Sequence, residues 1–140
     1  MERRRFLRVL GGGGFALGVG GCASALPLTM PAEGGTIRLI LAEHPVLSEP
    51  GGSVRLRTGS DGRLVYVLAL GNGELAALSP ICTHQGCTVE VQGAYLVCPC
   101  HGSTYARDGV VVRGPAPLPL RRFPVREAPG GVLLIETGES

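Results

Sequence analysis

Cys82-Thr83-His84-Gln85-Gly86-Cys87 and Cys98-Pro99-Cys100-His101-Gly102-Ser103 present metal donors in the order Cys, His, Cys, His, with two further cysteines between them. Thirteen residues, 85–97, separate the pair Cys82/His84 from the pair Cys98/His101. In extended chain, side chains two positions apart share a side, so Cys82 and His84 can address one centre. Cys98 and His101 stand three apart, a spacing that suits a tight turn whose backbone Pro99 restricts. The competing reading is a structural zinc module, because Cys and His also suit zinc. Common zinc frameworks place a Cys pair ahead of a His pair, and the alternation here departs from that order.

These two segments resemble the cluster-binding loops of the Rieske iron–sulfur proteins. The resemblance implies one [2Fe–2S] cluster per chain, with Cys82 and Cys98 on one iron and His84 and His101 on the other. Two imidazoles in place of two thiolates make the oxidised cluster less negative, so it accepts an electron more readily. The imidazole protons become more acidic when the iron is oxidised, so the midpoint is expected to fall as pH rises through that range. In the high-potential branch (the cytochrome bc-type and arsenite oxidase small-subunit proteins), the positions of Cys87 and Cys100 form a disulfide between the loops. The same resemblance gives Ser103 a hydrogen bond to a bridging sulfide and Tyr105 one to the Cys82 sulfur, each raising the potential. Gly114-Pro115-Ala116-Pro117-Leu118-Pro119 resembles the proline-rich loop that covers the cluster. For Cys87 and Cys100 the other reading is two free thiols, and for residues 114–119 it is an ordinary turn-rich connection.

The first thirty residues supply an address. Arg3-Arg4-Arg5-Phe6-Leu7-Arg8 fits the twin-arginine export pattern, and Ala23-Ser24-Ala25 offers a cleavage site. No charge falls between Arg8 and Glu33, a stretch long enough to span a bilayer if left uncut, although rich in glycine. Cys22 follows Val19-Gly20-Gly21 in a loose lipoprotein box and is the cysteine left over after two ligands and two bridging partners. The expected organisation is a twin-arginine signal peptide or membrane anchor at 1–30, a short linker at 31–35 and a Rieske domain at 36–140. From residue 26 onward nine basic residues face ten acidic ones, so the formal net charge of +2 belongs to the leader. The mature region has no basic excess to suggest nucleic acid. Arg121 and Arg122 read as a solvated pair.

From residue 36 the pattern is short apolar or alternating runs punctuated by Gly, Pro, Asp and Asn. Strands are expected at 36–42, 53–57, 63–70, 75–79, 88–91, 94–97, 110–113, 123–126 and 132–136. Gly71-Asn72-Gly73 reads as a hairpin turn, and no amphipathic helix is evident. The fold class is all-β, a small antiparallel β-sandwich with the cluster loops at one tip, as the resemblance also implies.

The function expected is a high-potential single-electron carrier, without catalysis on its own. Its donor would be a quinol or an oxidoreductase, with His101 the quinol contact, and its acceptor a c-type cytochrome. It would work at the periplasmic face of the cytoplasmic membrane, attached to it. The loop between the ligand pairs is shorter than in many quinol-oxidising subunits, which keeps open the small subunit of an exported molybdenum oxidase. A Rieske oxygenase needs a second iron held by two His and a carboxylate. Beyond His84 and His101 the chain has only His44, read as a surface residue, so that class fails on inventory.

Overall fold

The computed structural model describes residues 26–138. The Arg3–Arg8 motif, the cleavage site and Cys22 lie outside them. The order of strands is β1 Leu28–Met30, β2 Ala32–Glu33, β3 Thr36–Ile40, β4 Ser53–Thr58, β5 Leu64–Ala69, β6 Leu75–Leu78, β7 Glu90–Gln92 and β8 Tyr95–Val97, followed by β9 Thr104–Ala106, β10 Val111–Arg113, β11 Arg122–Phe123, β12 Val125–Ala128 and β13 Val132–Glu136. Helix is confined, among the described residues, to two short 3₁₀ turns, Leu41–Glu43 and Pro45–Ser48. No helix among them is long and apolar enough to cross a membrane. The fold is all-β.

β5 explains the layering. Its sequence Leu-Val-Tyr-Val-Leu-Ala is apolar throughout, and every residue after Leu64 is buried. A strand with no polar face must be covered on both sides. It lies at the centre of the sheet β1-β4-β5-β6-β11, flanked by β4 and β6 in antiparallel register. Val65 and Val67 face one core with Ile37 and Leu39 of β3 and Leu133 and Ile135 of β13. Tyr66 and Leu68 face the other, with Leu96 of β8 and Tyr105 of β9. The central sheet is therefore sandwiched between β12-β13-β3-β2 and β10-β9-β8-β7. The layer β7 to β10, together with the loop that enters it from β6, carries the cysteines and histidines at 82–101 singled out by sequence.

The expected strands appear, most with shifted ends, and four differences go further, the first with a direct physical cause. The strand expected at 123–126 is split by Pro124, which has no amide hydrogen to give a ladder. β11 before it pairs with β6 of the central sheet, and β12 after it pairs with β13 of an outer one. The strand expected at 88–91 begins at Glu90, with Thr88 making only an isolated bridge to Ile81. β9 is additional, pairing with both β8 and β10. β1 and β2 are also additional, in the stretch read as the end of the leader and the linker. β1 pairs with β4 in parallel, the one departure from antiparallel pairing among the described strands.

Arg107, just after β9, ties the outer layer to the central sheet. Its Nε donates to the Ala69 carbonyl at 2.9 Å, its Nη1 to Gly93 at 2.8 Å and its Nη2 to Gly52. Gly52 is required by its own turn, where a Cβ would collide with the Val46 carbonyl oxygen. Burial lowers the guanidinium's pKa, but the group stays charged. Truncation would leave three carbonyls without this donor. Arg107→Ala is expected to cost about 2–3 kcal/mol in chemical denaturation. Arg107→Lys should recover less than half of that, since an ammonium cannot span all three.

Candidate metal centre

The two loops are built alike. The Cys82 amide donates to the Cys87 carbonyl at 2.8 Å, and the Gly86 amide donates back to Cys82 at 3.0 Å. In the second loop, Cys98 donates to Ser103 at 2.8 Å, and Gly102 donates back to Cys98 at 2.9 Å. Gly86 and Gly102 occupy the same place in each loop, with φ of 80° and 78°, a region where a Cβ is strained. The first loop leaves β6, and the second joins β8 to β9. Cys87 and Cys100 form a disulfide across them, with Cα atoms 6.4 Å apart.

Cys82 and Cys98 are free thiols buried in the second core, each 2% exposed. His84 is half-buried and His101 exposed. Their rings meet edge to face, with centroids 4.9 Å apart. The Nδ1 of His84 is buried and has no hydrogen-bond partner. An orphaned polar atom of this kind costs about 1–3 kcal/mol unless a bound group satisfies it. Two soft thiols, two adjoining imidazoles and that unpartnered nitrogen suit a cluster with mixed sulfur and nitrogen ligation. The residues present fit the group.

Hydroxyls line the same place. Tyr105, fully buried, sets its Oη 3.3 Å from the Cys82 sulfur. The Thr83 amide donates to that oxygen at 3.2 Å, and the phenolic proton faces both the sulfur and the Thr83 hydroxyl oxygen, 3.3 Å away, whose own proton goes to Leu118. Burial, then donation to Cys82, pushes the Tyr105 pKa up, so the proton stays in place at neutral pH. Burial pushes the Cys82 thiol up too. Hydrogen bonds from Tyr105, the His84 backbone, Cys98 and Ser103 outweigh it and hold the thiol below its ordinary range. Ser103, also fully buried, accepts from the Ala116 amide at 3.0 Å, which leaves its own proton for the sulfur side of the site.

Residues 114–119 fold over the first loop. Thr83 donates through Oγ1 to the Leu118 carbonyl at 2.6 Å. Sequence reasoning passed over Thr83, although the signal was present. In extended chain the residue between Cys82 and His84 points away from both, and here it reaches the proline-rich segment. Arg107 carried no such local signal. His44 is half-buried between the two 3₁₀ turns, not a freely exposed side chain. It lines a cavity of about 340 Å³ with Leu26, Leu28 and Arg55.

Residues 41–124 match the Rieske [2Fe–2S] domain, and the chain belongs to that family. Its cofactor is a [2Fe–2S] cluster, and it is an electron-transfer protein. It is similar to the cytochrome b6-f complex iron-sulfur subunit of Chlorobaculum tepidum, 33% identical over 138 residues covering 95% of this chain and 75% of that one. Subunit 1 of the same complex in Synechocystis sp. is 36% identical over 136 residues, covering 86% of this chain and 76% of that one. Among solved structures, the cyanobacterial plasma membrane Rieske protein PetC3 of Synechocystis PCC 6803 superposes with a TM-score of 0.54 at 34% identity, over 60% of this chain and 85% of that one. A chain from the carbazole 1,9a-dioxygenase oxygenase–ferredoxin complex superposes at 0.57 with 19% identity over 77% of this chain and 99% of that one, a likeness of fold alone.

Proposed function

We propose that Cys82 and Cys98 ligate one iron and His84 and His101 the other. The chain would serve as an exported, high-potential carrier passing single electrons from a quinol to a c-type cytochrome. The observation that carries the high-potential reading is the Tyr105 hydroxyl against the Cys82 sulfur. When bound, the cluster supplies a one-electron couple whose negative charge rises on reduction.

The chain's own residues then do four things. Tyr105 and Ser103 hold protons toward that negative charge, and a donor stabilises the reduced state more than the oxidised one. The buried core around Cys82 and Cys98 excludes water from the sulfur end. The exposed His101 and half-buried His84 form the port through which a partner is met and a proton exchanged. The Cys87–Cys100 bridge holds the two loops in register.

The similar proteins named as cytochrome b6-f subunits support a quinol donor over a molybdenum oxidase. The twin-arginine pattern at Arg3–Arg8 supports export of the folded, loaded protein to the periplasmic face, with attachment through an uncut 1–30 segment or a lipid on Cys22. The test uses membranes from cells with and without this chain, given a reduced quinol and followed for c-type cytochrome reduction. Loss of that reduction in the deletion is expected. Unimpaired reduction would overturn the quinol reading.

Tyr105→Phe provides a second check. Losing one donor to sulfur should lower the midpoint by roughly 40–60 mV, the one-electron equivalent of about 1–1.5 kcal/mol. Protein-film voltammetry reads it directly, and an unchanged midpoint would remove Tyr105 from this role.

A further inference from the structure

The sulfurs of Cys87, Cys98 and Cys100 all lie within 4.8 Å of one another. Two of them share the disulfide, while the third is a buried free thiol. Tetrahedral zinc with thiolate bonds of about 2.3 Å holds its sulfurs roughly 3.8 Å apart. Opening the disulfide would therefore leave three thiols close to the spacing that a soft cation requires. This is not the ligand set proposed for the cluster, since Cys98 alone is common to both.

We propose that the cluster-free chain, once its Cys87–Cys100 bond is reduced, forms a three-thiolate site for a soft divalent cation such as zinc or cadmium. The S–S bond breaks as a dithiol delivers two electrons and two protons, and the dithiol closes to its own disulfide. Cation binding then displaces one proton from each of the three thiols. Cys100 is exposed, which gives the reductant a point of attack. Because Cys98 is needed at both sites, cation and cluster exclude each other. The bridge thus does more than brace the loops: it takes two of three thiols away from competing metals. The exclusion clause rests on the ligand set proposed above, whereas the three-sulfur site rests on geometry alone.

The test is titration of cluster-free, full-length chain with cadmium chloride under anaerobic conditions. One sample is reduced by a dithiol that is then removed, and the other keeps its disulfide. Binding is followed by thiolate-to-cadmium ultraviolet absorption. The reduced chain should take up roughly one cation, at least about tenfold more tightly than the disulfide form. Cys87→Ser and Cys100→Ser should each weaken the reduced chain by about tenfold or more, while the far-ultraviolet circular dichroism stays that of the unsubstituted chain. Equal affinity with the disulfide intact would place cadmium on Cys82 and Cys98 and overturn the proposal. Weakened binding accompanied by loss of that dichroism, the behaviour of an unfolded chain, would overturn it as well. Failure of the quinol assay would leave this result untouched.

Discussion

Serine at position 98, or alanine at position 84, is expected to abolish the cluster. Iron and labile sulfide, about two of each per chain when the cluster is bound, should fall below roughly a tenth of that. The reason differs between the two sites. A serine hydroxyl does not ionise near neutral pH and is a harder donor than thiolate, so it matches iron–sulfur chemistry poorly. Alanine at 84 removes one of only two nitrogen donors and opens an iron to water. Circular dichroism of the all-β fold should survive in His84→Ala, because His84 belongs to neither core. Full iron and sulfide in either variant would remove that residue from the ligand set.

Removing the bridge should have the next largest effect. The double replacement Cys87→Ser/Cys100→Ser frees a loop whose closing residues are 13 apart in sequence. Constraint of a loop near that length is worth about 3 kcal/mol. Among the described residues the loops are also tied by weaker contacts, such as Tyr105 to Cys82 and the His84 ring against His101, and the proposed cluster would join them too. Chemical denaturation should show the lost stability, and the visible colour should bleach faster on standing in air. A stability change below about 1 kcal/mol would mean that the second core holds the loops without help.

Much of this was legible because the chemistry is local. The pairs Cys82/His84 and Cys98/His101 sit within single loops, and the hairpin at Gly71-Asn72-Gly73 joins β5 to β6 as the turn residues imply. Asn72 secures it by accepting from the Glu74 amide at 3.0 Å. The Cys87–Cys100 bridge and the approach of Tyr105 to Cys82 both follow the family resemblance. What sequence could not supply was arrangement at a distance. β5 is apolar on both faces, which demands cover on both but does not say which strands provide it. β1, β2, β9 and β11 run to two or three residues, too few for alternation to register. Arg107 finds its three carbonyls 55, 38 and 14 residues away, in three separate turns or strand ends. No window of sequence contains that clamp.

The three-layer arrangement also bears on how electrons reach a partner. The thiols are buried against the central sheet, and the imidazole of His101 is at the surface. That asymmetry places the sulfurs inward and the His101 ring outward. Leu118 and the prolines at 115, 117 and 119 are exposed on the segment that Thr83, next to His84 in sequence, holds by its hydrogen bond to the Leu118 carbonyl.

Pulsed electron spin resonance of the reduced protein, grown with ¹⁵N-labelled histidine, tests the central assignment most directly. Two distinct imidazole nitrogens coupled to a low-average-g [2Fe–2S] signal are expected, one lost in His84→Ala if any cluster persists. A reduced cluster with no histidine coupling, or a colourless protein holding zinc in place of iron, would contradict it.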